Sequence, residues 1–83
     1  MTSTTAILQK MVAGGAHLEV LRGPTAEYIT VCRTDRSALF AGDLPRAMFE
    51  DLRSASLIYQ DGEEDGRGVT IFRLTSDGRL RGA

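Results

Sequence analysis

One cysteine and one histidine, Cys32 and His17, are all this 83-residue chain holds of the residue types behind most nucleophilic and zinc chemistry. A lone cysteine closes no internal disulfide, which suits a reducing compartment and points to the cytoplasm. A structural zinc takes four ligands, mostly thiolate or imidazole, and two are on offer, so neither a metal nor another cofactor is expected. Lysine is down to Lys10 against nine arginines. With a net charge of −1 and a pI near 5.7, the chain lacks the basic excess that dominates non-specific nucleic-acid binding. No apolar run approaches the roughly 20 residues of a membrane span. Met1-Thr2-Ser3-Thr4-Thr5 has neither the basic nor the apolar region of a signal peptide. No glycine-rich phosphate loop of the Walker or Rossmann kind is present. Glu50 and Asp51 are adjacent carboxylates, but neighbouring helix positions diverge by about 100° and cannot attend one bond. Together these gaps argue against an enzyme.

What remains reads as one α+β domain covering residues 1–83. The first helix is expected over residues 5–13, capped by Ser3 or Thr4. Ile7, Leu8, Met11 and Val12 form its apolar stripe, and Gly14-Gly15 ends it through a left-handed cap. A hairpin follows, with strands at 17–22 and 27–33 around Gly23-Pro24-Thr25-Ala26. Closing Arg22 against Glu27 sets Val20 opposite Ile29 and Leu18 opposite Val31, so four aliphatics share one face. The other face then carries Leu21 with Tyr28, Glu19 with Thr30, and His17 with Cys32. A short strand is expected at 38–40.

A second helix is expected over 44–55, capped by Asp43 with Pro45 in its first turn. Leu44, Met48, Leu52 and Ala55 form its buried stripe beside Phe49. A second hairpin pairs 57–59 with 69–74 around a polar loop and stops at Thr75-Ser76-Asp77-Gly78. Helix then hairpin with a long polar tip is the second half of a winged-helix-like arrangement, here α-β-β-(β)-α-β-β. The halves echo one another: Ile29-Thr30-Val31-Cys32-Arg33 resembles Val69-Thr70-Ile71-Phe72-Arg73.

Three groups of residues invite a functional reading. His17 beside Cys32 would be the kernel of a cysteine nucleophile or half a zinc site; the plainer expectation is a partly exposed cross-strand pair without a role. Asp61, Glu63, Glu64 and Asp65 crowd the second hairpin's tip. The loop is too short for an EF-hand and lacks its spacing, which leaves a solvated tip or an acidic surface for a basic groove. Arg46, Arg53, Arg79 and Arg81 are the candidate contacts if nucleic acid is bound directly.

Val12-Ala13-Gly14-Gly15, Cys32, Gly42-Asp43, Phe49-x-x-Leu52, Leu57-Ile58 and Phe72-Arg73-Leu74-Thr75-x-x-Gly78 together resemble the YjhX-like family of very small bacterial proteins. The likeness spans nearly the whole chain. That family is regarded as toxins that inhibit topoisomerase I, which implies a winged-helix-like fold and a protein partner. The chain departs from it at Glu50-Asp51 and Arg53-Ser54, where the family's second helix is lysine-rich, and in a longer, more acidic wing. In size and charge it is also similar in kind to phage-encoded anti-CRISPR proteins.

The leading expectation is therefore a non-enzymatic inhibitor. It would bind a nucleic-acid-handling protein, a topoisomerase or a CRISPR effector complex, through its acidic tip. The alternative is a winged-helix DNA-binding transcriptional regulator using the arginines. A third is a subunit that dimerises through Leu21 and Tyr28, so monomer and homodimer both stand. No membrane partner is expected.

Overall fold

Ile7, Leu8 and Met11 recur at helical spacing, and in the computed structural model they are the buried stripe of α1 (Thr4–Gly14). The structure describes residues 4–33, 35, 37 and 44–83. Helix α1 ends as its glycines predict. Gly15 sits at φ 61°, a conformation glycine adopts without a Cβ clash, and Ala16 N–H returns to the Met11 carbonyl at 2.9 Å.

Strands β1 (His17–Arg22) and β2 (Glu27–Cys32) pair in the register read from the sequence, with Val20 opposite Ile29 and Leu18 opposite Val31. All four aliphatics are buried. The remaining elements are α2 (Arg46–Ser54), β3 (Ile58–Gln60), β4 (Val69–Leu74) and α3 (Ser76–Gly82). The two hairpins merge into one antiparallel sheet in the order β2-β1-β4-β3. Leu18, Val20, Ile29, Val31, Ile58, Phe72 and Leu74 form one core with α1 and with Phe49 and Leu52 of α2. Phe49 meets Phe72 edge-on, centroids 5.0 Å apart. The fold is thus a small α+β domain with three helices and a four-stranded antiparallel sheet.

That strand order breaks the apparent repeat. The first strand of one hairpin pairs with the second strand of the other, so exchanging the halves does not map the sheet onto itself. The similar pentapeptides fall at an end of the sheet and at its centre.

The structure corrects the sequence reading in three further places. Helix α2 begins at Arg46, not Leu44, because the residue before a proline is driven out of helical conformation. Leu44 is instead tied to the sheet, its N–H donating to the Ile29 carbonyl at 2.7 Å. Ala55, expected in the buried stripe, is the exposed C-cap, and Met48 is only half-buried. Second, β4 does end before Thr75, but a helix that the sequence reading lacks follows it. That residue caps α3, accepting the Gly78 N–H at 3.1 Å and donating its hydroxyl to the Ser56 carbonyl at 2.7 Å. Third, His17 and Cys32 are 8 % and 5 % exposed. Strand β1 is flanked by β2 and β4, which crowds Glu19 from two sides; Thr30, opposite it on the edge strand β2, is half-buried as well. With α2 starting at Arg46, its N-cap is Pro45, without a side-chain cap hydrogen bond, and not the expected Asp43. The expected Ser3 cap and the strand at 38–40 lie outside the described residues.

Candidate functional site

The loop between β3 and β4 is held in shape largely by its own acids. Asp65 accepts the N–H of Arg67 at 2.7 Å and of Val69 at 3.0 Å, and its second oxygen takes the Arg67 guanidinium at 3.1 Å. Asp61 pairs with Arg73, and Glu64 reaches across to Arg22 of β1. The base of the loop is fixed to the same strand, Arg22 N–H donating to the Gly68 carbonyl at 2.9 Å. Glu63 is exposed and has no partner among the described residues. Of the four tip acids, three are engaged and one points a free charge outward.

Asp65 therefore caps the turn, and its titration should show it. The Val69 N–H, then the Arg67 N–H, then the Arg67 side chain hold its carboxyl below the ordinary value of 3.8. A depressed carboxyl stabilises the fold above its ordinary value and stops doing so as pH falls through the lowered one. The Val69 and Arg67 amide resonances should stay constant above pH 3.8 and shift together below it. Asp65→Asn should remove the step. Unchanged Val69 and Arg67 amides through acid titration of the wild type would show that the carboxylate does not hold the loop.

The four candidate arginines do not converge. Arg46 is bound to Glu27 at 3.0 Å and Glu50 at 3.5 Å, and the hydrogen bond to Glu27 raises its pKa further. Arg53, one helical turn on from Phe49, places its guanidinium carbon 5.7 and 5.6 Å from the centres of the Phe49 and Phe72 rings. The i, i+4 spacing of Phe49 and Arg53 is visible in the sequence; the arrival of Phe72 from β4 is not. Arg46 and Arg53 line one cleft of about 210 Å³. Arg79 lines another of about 380 Å³ with Arg73, Met11, Val12 and Leu74. Arg81, on the last turn of α3, lines neither. None of Arg53, Arg79 and Arg81 has a carboxylate partner among the described residues.

His17 does not engage the thiol opposite it. Its Nε2 lies 2.9 Å from Glu19 Oε2, two residues along the same face, while Cys32 Sγ lies 4.0 Å from the Thr30 carbonyl. Among the described residues no group of three or more His, Cys, Asp or Glu side chains is placed to hold a metal ion. Nor is any described helix long and apolar enough to cross a membrane. Leu21 and Tyr28 stand on the outer sheet face at 43 % and 46 % exposure, as the register predicts.

Comparison with protein-family models, with curated proteins and with solved structures finds no match.

Proposed function

We propose that this is a small non-enzymatic inhibitor that docks its 61–65 loop on a basic surface of a nucleic-acid-handling protein. The resemblance to topoisomerase-inhibiting toxins favours a topoisomerase as the target; the likeness in kind to anti-CRISPR proteins offers a CRISPR effector complex. The observation that carries the reading is the preformed loop. Asp65 fixes its turn, and Glu63 projects outward. An element ordered before contact avoids much of the entropy cost of ordering on binding, and its charge steers approach to a basic groove. The Asp61–Arg73 and Glu64–Arg22 pairs are solvent-exposed. Such pairs contribute little to stability, so their carboxylates are open to exchange for a partner's cations.

The test leaves the cap intact. Glu63→Lys with Glu64→Lys should weaken binding to purified bacterial topoisomerase I several-fold and flatten its salt dependence. Asp65→Lys would confound the result by opening the loop. Unchanged affinity in the double variant overturns the acidic-loop reading, and no binding by the wild type removes topoisomerase I as the target.

The alternative, direct DNA binding, draws its support from Arg53, Arg79 and Arg81 having no carboxylate partner among the described residues. A gel shift on random duplex at low salt decides it, since even non-specific binders reach micromolar affinity there.

A further inference from the structure

We infer that the cleft at Arg53 binds a single carboxylate carried by a peptide segment of a partner protein. The cleft lies where α2 meets the sheet, and the edge-to-face pair Phe49 and Phe72 helps to line it. Arg53 places its guanidinium carbon 5.7 and 5.6 Å from the two ring centres, and its N–H groups have no partner among the described residues. A guanidinium held beside two rings, with its donors open, is suited to bidentate bonds to a planar anion.

The surrounding charge narrows the class of anion. Arg22, Arg46 and Arg53 line the cleft together with Glu27 and Glu64, and Arg22 and Arg46 are already tied to those two acids. Arg46 also meets Glu50 at 3.5 Å from outside the cleft, so the charges nearly balance and Arg53 is the one lining cation without a carboxylate partner among the described residues. That matches a monoanion and disfavours a doubly charged phosphate, which would face Glu27 and Glu64 at short range. Size narrows it again. About 210 Å³ falls below the roughly 300 Å³ at which small-molecule pockets begin, but it accommodates one acidic side chain. The occupant is therefore an aspartate, a glutamate or a chain terminus presented on a protein surface. Arg53 is on α2 and outside the 61–65 loop. Glu64 lines the cleft as well, so one partner could meet both.

The probes are three: the blocked tripeptide acetyl-Gly-Glu-Gly-amide, its Gln counterpart, and inorganic phosphate. Each is titrated into the isotope-labelled full chain while the Arg53 Nε–H and Phe72 ring resonances are followed. The Glu peptide should give saturable shifts at both, the Gln peptide none, and phosphate weaker ones. Arg53→Lys keeps the charge but loses the planar fork, and should weaken the Glu peptide about tenfold or more, as expected for loss of a charge-assisted bond. Arg53→Met keeps the two rings covered and should abolish binding without changing the thermal midpoint much. Arg81→Gln should bind like the wild type. Equal shifts with the Glu and Gln peptides overturn the proposal, as does full affinity in Arg53→Lys. Tighter binding of phosphate than of the Glu peptide also overturns it, and would assign the cleft to a phosphate instead.

Discussion

Gly78→Ala should destabilise the fold by about 3 kcal/mol, the upper part of the range for forcing atoms into a filled space, and should release α3 from its seat. In an ordinary exposed helix the same change is favourable by up to about 1 kcal/mol. Here the sign reverses because of what the new methyl meets. A Cβ on Gly78 would lie 2.2 Å from the Leu57 carbonyl oxygen and 3.1 Å from its carbon, both backbone atoms. No rotamer change relieves such a clash. Leu57 is itself anchored twice, its N–H to Leu52 at 2.9 Å and its carbonyl to the Thr75 N–H at 3.0 Å. Helix α3 must therefore move, and it is held one turn later by a second close approach. A Cβ on Gly82 would stand 2.5 Å from the Leu8 carbonyl oxygen and 2.7 Å from Val12 Cγ2. The Thr75 cap and the α1 contact would be strained together. Urea denaturation measures the loss, and Leu80→Ala, at a position 75 % exposed, should stay within about 0.5 kcal/mol of wild type. A Gly78→Ala protein as stable as the wild type would mean that α3 does not sit so close.

The same two glycines explain why α3 was not legible in the sequence. Glycine is among the poorest helix formers, and Thr75-Ser76-Asp77-Gly78 reads as a stop. Yet Thr75 as cap with Asp77 in the first turn is also a helix start. The deciding fact, that the helix needs backbone contact with Leu57 and with Leu8, is a tertiary one. The first hairpin was legible because the loop Gly23-Pro24-Thr25-Ala26 and four alternating aliphatics admit one register. What the hairpin could not disclose was its neighbour. Pairing of β1 with β4 turns Glu19 from a rim residue into a residue of a sheet interior, and it brings Phe72 to Phe49 beside Arg53. The acidic tip was legible as composition but not as structure. Asp61, Glu64 and Asp65 read alike in a list of acids, and only the folded loop distinguishes a cap, two ion-paired carboxylates and the free Glu63.

Leu18→Ala and Leu21→Ala make the sharpest contrast along one strand. The positions are three apart, so they point to opposite faces of β1. Leu18 is 0 % exposed and Leu21 43 %. Leu18 lies opposite Val31 on one side and Phe72 on the other, in the same core as Ile7, Leu8 and Met11. Deleting its isobutyl group leaves a cavity walled on both flanks by paired strands, which cannot close inward without breaking the ladder. The expected cost is about 2–5 kcal/mol, a large share of the roughly 5–15 kcal/mol that domains have, so the denaturant midpoint of the variant should fall sharply. Leu21 lies opposite Tyr28 and Val69 with one side in solvent, and its truncation should cost about 1 kcal/mol or less. Denaturant midpoints with matched slopes read both losses. Sedimentation of the wild type adds a separate outcome. If Leu21 and Tyr28 are covered by a second copy, Leu21→Ala shifts the monomer–dimer balance while leaving the monomer's stability nearly untouched. Equal destabilisation by the two substitutions in a monomer would mean that both faces of β1 are buried, contradicting the register and the open outer face together.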